Sequence, residues 1–423
     1  MIFEYKLEKI IEKLTRVLSL DVKYFFKNGI WIFIRYIVIG LSGLIITISF
    51  ARLGTKQMLG QYQFVLNFLA MLSVFSLPGL NTVALRGVAS GKDGIIKKVF
   101  NKSFSWSLFA IPIIICYGIY QIFYSDELVG KTIILAGFLF PFFYASNTWY
   151  AFFEGKTLFK SASLRIILSN IVLALSIATV LYFKVNIFWI IFFYLFANIL
   201  MNGIFYLEVF KKAREASEKI DMKYGLTCTL QKFTYSFSES IPVLVISFIF
   251  GFELLAVYQV AYFLIALVIG FVSALSAMYM PLLFKYNRIN HFKIIWQNLL
   301  IGLIFFIVFV IFIKLFFFIF YGENYRESYN LVRIFSFAVI LIPLKVYLFN
   351  FFMAKNKNKF LIISNLFSSI LALIVFYVIR SCGFLVSIPI YFYLFSLLVG
   401  IPLLINYFLI ASRKTDSILS EIN

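Results

Sequence analysis

A chain of 423 residues that is 63% hydrophobic and 13% charged, with a mean hydropathy of +0.98, carries far more apolar surface than a soluble core can enclose. No polar stretch is long enough to form a soluble domain, which excludes a soluble enzyme. The formal charge of +20 is spread through short gaps between apolar runs, where lysine and arginine meet anionic headgroups rather than nucleic acid.

Residues 1–28 come first. Leu7, Ile10, Ile11, Leu14, Val17 and Leu18 recur at helical spacing among Lys6, Lys9, Lys13, Glu4, Glu8 and Glu12, which predicts a basic amphipathic helix on the cytoplasmic membrane surface. A secretory signal would place its apolar run nearer the start. Crossing the hydrocarbon takes roughly 20 apolar residues, and about twelve stretches meet that length. They cover 30–51, 61–85, 103–124, 132–153, 166–183, 187–210, 235–252, 254–284, 295–320, 331–353, 360–379 and 384–410. Gly251, Phe252 and Glu253 predict a very tight turn between spans seven and eight. The expected organisation is a six-helix lobe at 29–210, a basic linker at 211–233, a second lobe at 234–410 and a tail at 411–423.

Cations orient the chain. With the amino terminus in the cytoplasm, twenty-eight lysines and arginines fall on the cytoplasmic side, among them Arg86, Lys97, Lys98, Lys156, Arg165 and the linker group Lys211 to Lys232. Seven fall opposite: Arg52, Lys56, Lys131, Lys184, Arg326, Arg333 and Arg380. Both termini are therefore expected inside.

Ile48-Ser49-Phe50 followed by Leu59-Gly60-Gln61-Tyr62-Gln63 is echoed by Ile246-Ser247-Phe248 followed by Leu255-Ala256-Val257-Tyr258-Gln259. The two copies bridge spans one–two and seven–eight in the same direction. The fold class expected is thus an all-α polytopic membrane protein built from two parallel six-helix repeats, related by an axis along the membrane normal. Two such bundles around a shared cavity suit alternating access.

Neither a glycine-rich nucleotide loop nor an HExxH helix is present. Cys116, Cys228 and Cys382 lack ligand spacing, and His291 lies in a short basic loop, so no metal or other cofactor is expected. The chemistry-bearing residues are ionisable groups within spans, where an unpaired charge is costly. Arg35, Lys345 and Lys314 are the in-span cations, and Arg86 closes span two. A cavity richer in cations than carboxylates predicts an anionic ligand, and guanidinium forks suit phosphate oxygens. Glu239 is expected to pair with Arg35 or Lys345, or to take a coupling proton; coupling to H+ or Na+ stays open. Asn147, Asn170, Asn198 and Asn202 are interhelical partners by default, with sugar contacts the sharper alternative for Asn147, Asn198 and Asn202. Pro78-Gly79 and Pro141 predict kinks in spans two and four.

Several segments resemble one family. Asn28-Gly29-Ile30-Trp31, Ala51-Arg52-Leu53-Gly54, Gly60-x-Tyr62, Pro78-Gly79-Leu80 and Arg86 line up in the first half. Pro242, Tyr258-x-x-Ala261, Pro281, the segment Tyr321 to Ser328, Lys357-x-Lys359 and Gly383 line up in the second. In order and topology these are similar to the Wzx-type oligosaccharide flippases, in the superfamily that includes the multidrug and toxic compound extruders. The connection between spans seven and eight is shorter than in that family and retains only Glu253. The resemblance implies a V-shaped, two-lobed fold in a bacterial cytoplasmic membrane. It also implies transport, without bond making, of an undecaprenyl-pyrophosphate-linked oligosaccharide from the inner to the outer leaflet, for O-antigen or capsule assembly. Arg35, Arg86 and Lys345, with Lys314, are then the pyrophosphate candidates. Anionic phospholipids, a polysaccharide polymerase and a chain-length regulator are the further partners expected. A drug/cation antiporter is the runner-up and would need an acidic cavity. A membrane polysaccharide polymerase would need a large external loop, which the sequence lacks.

Overall fold

Lipid leaves backbone polar groups no partner but the chain itself, so each crossing must be a helix. The computed structural model describes residues 22–213, 219–285, 291–354 and 358–381, and among these there is no strand. Nine helical units among the described residues are long and apolar enough to cross a bilayer. One of them, within the helix Met222–Lys285, reverses at Gly251 and supplies spans seven and eight, while Asn358–Ser381 supplies span eleven. The expected span at 384–410, the tail, residues 1–21 and the linker centre at 214–218 lie outside the described residues. The protein is thus an all-α, multi-pass membrane protein.

The reversal at Gly251 has φ 81° and ψ 179°, a conformation open to glycine and strained for other residues, which makes the predicted tight turn possible. Spans two, four and ten are broken where the sequence supplies breakers or small polar residues. Span two runs Lys56–Leu72, a 3-10 turn Ser73–Ser76, left-handed Leu77 and then Leu80–Ala89, with Pro78 unable to donate at the break. Span four runs Glu127–Ala145 and Trp149–Gly155 around a 3-10 turn, with Pro141 inside the first piece. Span ten follows the same plan in Arg326–Phe335, Ser336–Leu341 and Ile342–Ala354.

Several helices start earlier than hydropathy places them. Span three begins at Ile95, eight residues before the apolar run: Ile95, Ile96 and Val99 are buried while Lys97 and Lys98 occupy other faces of the helix. Span seven begins at Met222 rather than 235, so half of the expected 211–233 linker is helix. Lys223 and Lys232 lower its hydropathy, but Gly225 and Thr229 on the same turns pack against span two. The helix of span one likewise starts at Val22, so the last part of the expected amphipathic segment runs directly into it.

Turns on the face away from the linker are held by capping side chains. Thr55 accepts from the Met58 amide at 3.2 Å. Asp126 accepts from the Leu128 and Val129 amides at 3.0 and 3.1 Å, and from the Gln61 side chain at 2.8 Å. Asn186 does the same for Trp189.

The two repeats face each other across a seam in which span two packs along span seven and span one along span eight. Equivalent residues are buried alike: Leu59 and Leu255 are fully enclosed, and Tyr62 and Tyr258 are each 3% exposed. The largest apolar core crosses the seam, joining Phe64, Phe68 and Leu69 to Val257, Ala261, Leu264 and Phe335. Small residues set the approach. A Cβ on Gly60 would stand 1.9 Å from the Phe252 carbonyl oxygen, and one on Gly79 2.2 Å from the Thr229 amide nitrogen and the Gly225 carbonyl oxygen.

Gly60→Val is therefore expected to destabilise the folded protein by about 1–3 kcal/mol through overpacking. Gly203→Ala, where an added Cβ meets nothing within 4 Å, should leave the melting temperature in detergent unchanged or slightly raised.

Candidate functional site: a chamber at the seam of the lobes

Midway along the seam lies a cavity of about 250 Å³. Gln63 and Asn67 of span two form one wall, Glu239 and Val243 of span seven and Tyr258, Gln259, Tyr262 and Phe263 of span eight the other. The repeat explains the pairing: Gln63 and Gln259 are equivalent positions, so the pseudo-twofold axis brings both amides to the same space. Tyr262 donates its hydroxyl proton to Glu239 Oε2. The wall therefore offers three amides, two tyrosines and one carboxylate.

Glu239 thus has a tyrosine as its close partner, not the Arg35 or Lys345 that was expected. Arg35 Nη1 instead donates to Glu154 Oε1 at 3.0 Å, within the first lobe, with its side chain 13% exposed. The helical register gives the reason. Phe33, Tyr36, Gly40 and Gly43 are the positions of span one that meet span eight, which turns Arg35 towards span four. Arg86 lies over the Tyr224 ring, its guanidinium carbon 3.9 Å from the centroid, at the linker face. Lys345 is half-buried and Lys314 exposed, and neither lines the chamber. The expected cation-lined chamber is not what these residues build; the ionisable group on its wall is a carboxylate.

The asparagine candidates also resolve. Asn202 is buried and its side-chain oxygen accepts from Trp149 Nε1 at 2.8 Å, an interhelical bond between spans six and four. Asn147 and Asn198 donate back to the Phe143 and Tyr194 carbonyls of their own helices, each at 3.3 Å, as Asn170 does to Ile166 at 2.8 Å. The amides on the chamber wall are Gln63, Asn67 and Gln259, none of them a sequence candidate, although the internal repeat held the signal that could have found two of them.

Polar contacts close the seam at both ends. At the linker face, Lys232 donates to the Pro78 carbonyl at 2.9 Å, and the Gly79 amide donates to Thr229 Oγ1 at 3.0 Å. At the opposite face, Arg52 reaches across from span one and donates to the carbonyls of Phe318, Ile319 and Phe320, the last turn of span nine. The Phe318 carbonyl also accepts from the Gly322 amide at 2.9 Å, and the guanidinium complements the negative end of the helix. The hydroxyls of Thr47 and Tyr321 meet at 2.9 Å beside them, and Lys56 sits over the Tyr325 ring.

A two-lobed helical bundle with a chamber at the seam of its lobes has the architecture of the multidrug and toxic compound extruder (MATE) fold. Solved structures agree. A MOP superfamily transporter from Pyrococcus furiosus is similar over 93% of this chain and 96% of its own, with a TM-score of 0.57 at 14% identity. A MATE solved with Br-NRF covers 93% and 96%, with a TM-score of 0.59 at 17% identity. A MATE solved with MaD3S covers 93% and 97%, with a TM-score of 0.64 at 16% identity. Among curated proteins there is no significant match. The profile of the polysaccharide biosynthesis protein family matches residues 25–287, and the chain belongs to that family. Family and fold together point to a membrane exporter.

If Arg52 latches the face away from the linker, Arg52→Ala should expose the chamber from that side. In a background lacking the three cysteines, Gln63→Cys should then react several-fold faster with a water-soluble thiol reagent, while Arg165→Ala, whose contacts with Glu208, Ser161, Phe153 and Phe205 all lie within the first lobe, leaves the rate unchanged.

Proposed function

We propose that the protein is an alternating-access flippase for an undecaprenyl-pyrophosphate-linked oligosaccharide, moving it from the inner to the outer leaflet of a bacterial cytoplasmic membrane during O-antigen or capsule assembly. The observation that carries the reading is the chamber wall, which pairs three side-chain amides with two tyrosines at the seam of duplicated lobes. Amides and phenols match a glycan: they donate to and accept from sugar hydroxyls, and the rings cover the apolar faces of the sugar. Family membership supports the same substrate class.

The chamber receives the glycan, not the pyrophosphate. Glu239 on its wall repels a diphosphate, whereas Arg86 and Lys345 lie outside it. The headgroup phosphates stay with cations towards the linker face, on the cytoplasmic side in this reading, and the polyprenyl chain stays in lipid. At about 250 Å³ the chamber is smaller than ordinary ligand pockets of about 300–1,000 Å³, so loading a glycan requires the lobes to part. Glu239, bonded to Tyr262, is the group suited to take up a proton as they do.

A proton-coupled cation antiporter is the second reading, favoured by the carboxylate on the wall. The two separate in one experiment. A deletion strain should accumulate lipid-linked oligosaccharide in the inner leaflet and lose surface polysaccharide, with wild-type chain restoring both. Glu239→Gln should slow transport by about tenfold or more, corresponding to about 1.4 kcal/mol, and flatten its pH dependence. Normal surface polysaccharide in the deletion strain, together with heightened sensitivity to cationic drugs, would decide for the antiporter.

A further inference from the structure

Outside the chamber, a groove of about 710 Å³ opens on the second lobe between spans nine and ten. Phe306, Phe309, Val310 and Ile313 recur at three- and four-residue spacing along one wall, and Phe337 contributes to the other. At one end stand two cations, Lys314 and Arg333. Lys314 precedes the end of span nine at Tyr321 by seven residues, and Arg333 follows the start of the next helix at Arg326 by seven. Both therefore lie about 10 Å in from the same turn, at one depth in the bilayer.

Each side chain is exposed, and no acidic group among the described residues pairs with either; the Arg333 guanidinium carbon stands 6.0 Å from the centroid of the Tyr329 ring. A groove walled by phenylalanine and aliphatic side chains suits lipid rather than water, and there an uncompensated charge is costly. Snorkelling would relieve one long side chain but does not account for two cations converging on one apolar trough. An amphiphile does: its phosphate complements the pair with charge-assisted bonds and its acyl chain lies along the phenylalanine wall, which extends about 10–12 Å from Phe306 to Ile313.

We infer that this groove is a binding site for an anionic phospholipid of the leaflet away from the linker face, its phosphate between Lys314 and Arg333. The ligand is the bulk lipid rather than the transported one, because the groove is lined by the second lobe alone and shares no lining residue with the chamber. A lipid held there braces the broken span ten against span nine, the helix whose last turn Arg52 grips.

The test uses the full chain reconstituted in nanodiscs with a phosphatidylglycerol carrying a diazirine in its acyl chain, or the matching phosphatidylcholine, followed by peptide mapping. Phosphatidylglycerol should label the segments around 306–313 and 332–337, and Lys314→Ala/Arg333→Ala should lower that labelling about tenfold, to the phosphatidylcholine level. The charge-retaining Lys314→Arg/Arg333→Lys pair should keep it, and Lys314→Gln alone serves should the double variant misfold. Equal labelling by the two lipids, or labelling indifferent to the double substitution, overturns the site. Displacement of the probe by equimolar polyprenyl phosphate overturns the choice of occupant, and because no transport is measured, the outcome is independent of the flippase reading.

Discussion

Hydrocarbon gives a polar group nothing to bond, and the cost of leaving one unsatisfied there is several kcal/mol. That penalty decides where this chain can be irregular. The breaks in spans two and four are covered by other helices, and in span ten the polar Ser336 is buried while Phe337 and Leu341 face outward. The freed amide of Gly79 finds Thr229, and the Pro78 carbonyl finds Lys232. The left-handed residue Leu77 is itself buried. Span two is thus broken where span seven can repair it, and the repair is one of the contacts that close the seam. The kink and the gate are one piece of chemistry.

The same constraint shapes how the lobes hold each other. Glycines 60 and 79 bring backbones together near opposite ends of span two, where dispersion rather than the hydrophobic effect must supply attraction, because lipid tails are as apolar as the residues they compete with. Few side-chain hydrogen bonds cross at either end, and several end on carbonyls rather than on carboxylates. A latch of that kind costs little to open, since water or a headgroup can take over each bond. Ion pairs such as Arg35–Glu154 and Arg165–Glu208, with their greater penalty on separation, stay inside the first lobe and move with it as a unit. Strong pairs within a lobe and weak bonds between lobes are the distribution a rocking mechanism requires.

Hydropathy made most of the architecture legible, because length and apolarity are what a bilayer selects. The turn at Gly251 and the breaks at Pro78 and Pro141 could be read from single residues. Where hydropathy failed, as at Ile95 and Met222, lysines were distributed around helices that are half in protein, and a window average could not tell a snorkelling lysine from a loop. The site was less legible for a geometric reason. A charge within a span announces that it matters but not which way it faces, and one residue of helix is 100° of rotation. Arg35 and Tyr36 are neighbours in sequence, yet only Tyr36 turns towards span eight. The repeat carried the missing angle: once Tyr62-Gln63 is set against Tyr258-Gln259, the symmetry axis places both glutamines on the chamber.

Charge segregation follows from these placements. The excess of lysine and arginine belongs to the ends of the spans, and where cations enter the first lobe they bring acids with them: Glu154 for Arg35, Glu208 for Arg165, Asp93 for Lys156. What remains on the chamber wall is neutral amide and phenol around one carboxylate. A field strong enough to hold a diphosphate at mid-membrane would also make it slow to leave, since tight binding to one state must be undone on the other side. A chamber that reads hydroxyl groups, with phosphate recognition kept at the rim, avoids that trap. In the flippase proposed above, such a chamber would let the glycan pass through a site of modest affinity while the charged headgroup crosses beside it only when the lobes part.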